Sequence, residues 1–160
     1  MLSVRRSTLE PLLAALNNSG VEDLPSGFAF YDINGQITYR IGARDRLTLS
    51  GYAGRDQLDY PIFDDARFDV SYGNQVLSAG WRHLFADNFF IRTTATTSRY
   101  FSDPVADISG TKFVRDNDVV DISGQVDAVW QASEAHTLEG GAKFGSFTTN
   151  LRNFFDGDQT

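Results

Sequence analysis

Cysteine is absent from the 160 residues, and histidine occurs only at His83 and His136. The first absence rules out disulfide staples and thiolate metal sites, and is compatible with a reducing cytosol or an envelope protein that avoids thiols. The second leaves an imidazole metal site without enough partners. Long hydrophobic runs are also missing. No stretch of about eighteen apolar residues could serve as a transmembrane helix, and the opening "MLSVRRSTLE" lacks the apolar region of a signal peptide. Basic charge is in short supply: 14 Lys and Arg against 21 Asp and Glu give a net charge of −7, and the cations are scattered, which argues against a nucleic-acid surface. No G-x-S-x-G occurs, and "GGAKFG" at 140–145 has no Lys-Ser/Thr after it, so a nucleophile elbow and a phosphate loop both fail. A non-enzymatic protein without a cofactor is expected.

What the chain does have is a period of two. In "DISGQVDAVW" the residues Asp121, Ser123, Gln125 and Asp127 alternate with Ile122, Gly124, Val126, Ala128 and Trp130, as in a strand whose two faces meet different surroundings. Strands are expected near 28–41, 46–57, 68–83, 89–101, 118–131 and 136–149, with a further strand end near 1–7. Helical spacing occurs only in "STLEPLLAALNNSG", through Leu9, Leu12, Leu13 and Leu16. Tight turns fall near 43, 86 and 133, whereas 8–27, 58–67 and 102–117 are long connections rich in Asp, Pro and Gly. This spacing predicts an all-β, antiparallel up-and-down meander of about seven long strands with a short helix near the N-terminus, forming one domain over 1–160. Every short turn should lie at one end of the sheet.

One face, running from Ala29 to Ile41 and onward through Leu47, Leu77, Trp81, Ile91, Ile122, Trp130 and Phe144, carries no charge. The other holds Arg40, Arg46, Arg82, Arg92, Asp121, Asp127, Glu139 and Lys143. Phe68, Val70 and Tyr72 break the phase of Leu77, Ala79 and Trp81, which predicts a β-bulge near Gly73–Asn74. A soluble sandwich also has one dry face. Three features favour lipid: strands longer than the five or six residues usual in globular sheets; Tyr39, Trp81 and Trp130, each close to a tight turn on the uncharged face, as in an interfacial aromatic girdle; and short turns opposite long loops. The pattern therefore predicts a partial transmembrane β-barrel in a bacterial outer membrane, with outer-membrane lipid on one side.

The segments "SVRRSTLEPLLAAL", "FYDINGQITYRIGARDRLTLSGYAGRD", "YGNQVLSAGWRHLFADNFFIRTTATTSRY" and "HTLEGGAKFG", in that order, resemble the middle of a TonB-dependent outer-membrane receptor barrel. The likeness is to receptors carrying an extra carboxypeptidase-regulatory-like N-terminal domain, and it covers essentially the whole chain. It implies a plugged barrel that imports a siderophore, cobalamin or glycan. Its partners would be the remainder of the barrel, the plug, the TonB complex through that plug, and an extracellular small ligand. No plug domain is recognisable, both ends look truncated, and no functional residue of the family maps onto this chain. A small complete outer-membrane barrel acting as adhesin or anchor, and a soluble β-sandwich binding module, are the competing readings. Binding residues are expected in the acidic connection "DYPIFDDARFD", at Asp59, Tyr60, Phe63, Asp64 and Asp65, where carboxylates could meet Ca²⁺ or a cationic ligand.

Overall fold

The computed structural model describes residues 1–7, 9–19, 25, 27–63 and 65–156. The elements are β1 (Leu2–Arg6), α1 (Glu10–Asn18), β2 (Gly27–Ile41), β3 (Asp45–Phe63), β4 (Ala66–Ala86), β5 (Phe89–Ile108), β6 (Thr111–Gln131) and β7 (Thr137–Asp156). The seven strands lie in one sheet in chain order, each antiparallel to the next. This is the expected meander with its one short helix. There is one sheet and not two packed layers, so a sandwich core does not form. Among the described residues Ala66 is the only buried hydrophobic side chain, while Ile37 and Phe144 stand 70% and 77% exposed. Such a wall is stable only if something apolar covers it. The sheet does not close: β1 and β7 are its two edges.

The tight turns at 42–44 and 87–88, and the bend at 133–135, lie where expected, all at one end. The opposite end differs from expectation. Connections 58–67 and 102–117 are not long loops. Both are absorbed into strands, so that β3 to β7 each run 19 to 21 residues. The β5–β6 hairpin closes on Ser109 and Gly110, both with positive φ (53° and 83°), between the paired residues Ile108 and Thr111. Two positive φ angles in a two-residue loop follow the right-handed twist of the strands, which is why Ser-Gly suffices here. Proline did not end the strands. Pro104 pairs with Val70 on one side, and the ladder to β6 simply skips Asp103 and Pro104; Pro61 sits where the β3–β4 register shifts.

No bulge occurs at Gly73–Asn74. Pairing runs unbroken there, Gly73 with Arg55 and Phe101, and Asn74 with Gly54 and Tyr100. The phase conflict is met by the environment and not by the backbone: the two faces of the sheet exchange polarity part-way up. Below that level, the face bearing Leu77, Ala79 and Trp81 is apolar. Above it, the same face carries Arg55, Gln57, Asp59, Arg67, Asp69, Arg99, Asp103, Asp116, Asp118 and Arg152. The opposite face meanwhile turns from Arg, Thr and Ser to Phe28, Phe30, Leu58, Tyr60, Phe68, Val70, Tyr72, Phe113 and Phe155.

Candidate functional site: an apolar belt and the hairpin tips above it

The belt occupies 33–41 on β2, 47–53 on β3, 77–85 on β4, 89–97 on β5 and 120–130 on β6. These stretches are close to the ~9–11 residues a tilted strand needs to cross a bilayer. β3 to β6 are about twice that length and continue beyond the belt toward the tips at Asp65 and at Ser109–Gly110.

The three aromatic residues expected at the interface all lie on the belt face. Tyr39 and Trp81 share one cross-strand row with Leu47 between them. Trp130 lies nearer the turns, paired with Phe89 and Leu138. The offset follows the hairpin ends, which step down the sheet from Ile41/Asp45 through Ala86/Phe89 to Gln131/Thr137. Staggered ends of this kind accompany strands that tilt relative to a barrel axis. Around Trp81 the rings of His83, Phe85 and Phe89 form a run, with centroids 5.6, 4.5 and 5.4 Å apart in turn. Trp81 Nε1 donates to Asp45 Oδ1 at 2.8 Å, and His83 Nδ1 lies 2.7 Å from the same oxygen. The sequence reading missed this cluster because Asp45 and His83 are 38 residues apart and meet only through the register.

The expected binding residues are not gathered into one loop. Asp59 and Tyr60 are consecutive residues of β3 and fall on opposite faces, Asp59 across from Asp69 and Tyr60 across from Phe68. Phe63 ends the strand with 74% of its surface exposed. Asp65 ties two hairpin tips together: its backbone carbonyl accepts from Ser109 N at 2.7 Å, and its Oδ2 accepts from Ser109 Oγ at 2.8 Å. Asp64 lies outside the described residues. Continuing the period of two through 58–62 would have shown this split.

Just above the belt, the same face carries a polar groove of about 580 Å³ lined by Arg55, Arg99, Phe101, Asp116, Asp118 and Arg152. Phe101 lies across Gly73, where a Cβ would come 2.6 Å from the ring. The guanidinium groups of Arg55 and Arg99 stand 5.9 and 5.8 Å from its centroid, within cation–π range. Arg99 Nε donates to Asp118 Oδ2 at 2.7 Å, and that hydrogen bond, together with the carboxylate charge, holds the Arg99 pKa above its ordinary value. On the other face burial raises the Tyr72 phenol, with the neighbouring Asp56 carboxylate adding to the effect. Charges on one face and aromatic rings on the other reverse the arrangement lower down. The site can therefore do two things chemically: hold apolar chains around the belt and hydrogen-bond polar groups above it.

No known family profile and no curated protein matches the chain. Among solved structures it is similar to a triple mutant of the Rh. blastica porin, at 12% identity and TM-score 0.16, over 81% of this chain and 55% of that one. It is also similar to the KdgM porin, at 9% identity and TM-score 0.15, over 82% of this chain and 91% of that one. The chain thus spans about half the length of the first of these porins.

Proposed function

We propose that this chain is part of the wall of an outer-membrane β-barrel, a non-enzymatic transport barrel of the TonB-dependent receptor type. The uncharged belt faces lipid and the arginine- and threonine-bearing face lines the lumen. The observation that carries the reading is the exchange of polarity between the faces. A sandwich strand keeps one dry face throughout, whereas a barrel strand that leaves the bilayer needs a dry outer face only within it. The single open sheet, with two unpaired edges and almost no core of its own, suits a segment completed by further barrel strands. The receptor type rests on the ordered resemblance of the strand sequences, and the imported ligand would be a siderophore, cobalamin or glycan.

Trp81 and Trp130 are the only tryptophans, so their fluorescence reports the belt directly. Folded into vesicles, the chain should be quenched most by lipids brominated close to the headgroup; absence of quenching at every bromine depth would refute lipid contact. Reading the genomic DNA on both sides of the gene tests the receptor type. A plug-encoding region upstream supports it, and a flanking sequence without one refutes it.

A further inference from the structure

On the face assigned to the lumen, the strand register brings four arginines into one row. Arg40 pairs with Arg46, Arg46 with Arg82, and Arg82 with Arg92. Beyond Arg92 the row ends at Asp127 and Gly141. Neighbouring strands lie about 4.8 Å apart, so the four guanidinium-bearing positions span about 14 Å. Like charges directly opposite one another destabilise a sheet, and this row stands in a chain whose net charge is −7.

One acid stands in the row, Asp127 opposite Arg92, and Asp45 reaches the rim of the groove beside Arg46; neither forms an ion pair with the four arginines. Among the described residues, the ion pairs of the sheet involve Arg5, His83 and Arg99, and none of the four. Asp45, the acid nearest in sequence to Arg46, belongs to the other face and binds Trp81 and His83. Asp127 accepts from Gln125 at 2.9 and 3.0 Å, and Glu139 and Lys143 stand on β7, beyond the end of the row. Arg82 lies over the Phe90 ring at 3.9 Å, and its Nε is buried with no hydrogen-bond partner. Two grooves of about 320 and 310 Å³ meet at Arg46 and Arg82; Arg40 and Arg44 line the first, Arg92 and Thr94 the second.

We propose that this arginine row is a binding track for an extended solute carrying several oxyanion groups, phosphate or carboxylate, taken up by the lumen near its short-turn end. The inference rests on the reading of this face as lumen. Guanidinium forks bind such oxygens in pairs, and a linear polyanion would neutralise several arginines at once where a single anion meets one or two. The mutual repulsion of Arg40, Arg46 and Arg82 supplies the driving force.

The test uses the full chain folded in detergent micelles and titrated calorimetrically with linear tetraphosphate, butanetetracarboxylate and orthophosphate. Tetraphosphate, tetracarboxylate or both should bind at least about tenfold more tightly than orthophosphate, and Arg46→Gln with Arg82→Gln should weaken that binding by at least about tenfold. Arg67→Gln, on the opposite face at the other end of the sheet, should leave it unchanged. The Arg46→Lys, Arg82→Lys pair guards against misfolding: it keeps the charge and should retain more affinity than the glutamine pair. The proposal is overturned if neither polyanion binds, or if the glutamine pair binds as well as the original chain. A separate measurement isolates the lumen reading. With no native cysteine, Thr48→Cys in vesicles should react with a charged maleimide and Leu49→Cys should not. The reverse pattern removes the lumen, whereas the expected pattern without polyanion binding removes the track alone.

Discussion

Neighbouring residues of one strand carry opposite assignments, and that makes single substitutions decisive. Ile122 is 59% exposed on the belt face, while Ser123 next to it faces the other way, between Thr96 and Gly145. With the belt facing lipid, as proposed, a guanidinium at Ile122 puts a charge into hydrocarbon, at a cost of about 2–4 kcal/mol near mid-bilayer. Ile122→Arg should therefore abolish, and Ser123→Arg preserve, insertion of the chain into vesicles, measured by flotation with the lipid. Equal flotation of both variants would remove the face assignment. This alternation was fully legible in the sequence, since parity along a strand needs no knowledge of its neighbours. Partnerships were not legible: Arg46 and Arg82, or Asp45 and His83, become neighbours only when the register is fixed.

At the scale of elements, the sequence located every strand but ended most of them too early at the tip side. Asp, Pro and Gly in 58–67 and 102–117 read as loop signals, yet these residues remain in ladders because the strands project past the belt with both faces free to carry polar or aromatic groups. The anticipated bulge failed for the same reason. A phase break in hydrophobicity need not be a break in backbone: the pairing runs on while the two faces exchange polarity. One consequence concerns Gly73, where adding a Cβ would meet the backbone oxygen of Gly54 at 2.5 Å and the Phe101 ring at 2.6 Å. A backbone atom cannot swing aside as a side-chain tip can. Gly73→Ala should lower stability by about 1–3 kcal/mol, the usual range for overpacking, measured by urea unfolding in micelles. Gly124→Ala should be much milder, because nothing lies within 4 Å of a Cβ there. If the two variants unfold alike, the ring over Gly73 has no structural weight.

For the whole molecule, the question is what completes a sheet with so little interior. Both edge strands offer unpaired backbone groups, and β7 is exposed along its full length. An apolar belt several strands wide adds to this, well beyond the patch size that soluble monomers tolerate. The two deficits call for two different partners: lipid or detergent for the belt, and further strands for the edges. In buffer without detergent the chain should sediment as large assemblies. Micelles should cover the belt but leave β1 and β7 open, so detergent should yield small, discrete oligomers joined edge to edge instead of monomers, as read by analytical ultracentrifugation. Replacing Phe144 and Phe147 by lysine distinguishes the deficits, since the first lies on the belt face and the second on the opposite face of the same edge strand. Phe144→Lys should reduce detergent binding, and Phe147→Lys should leave it intact. A monodisperse monomer in plain buffer would contradict the membrane reading at its root, because a wall with one buried apolar side chain among its described residues has no other means of remaining folded in water.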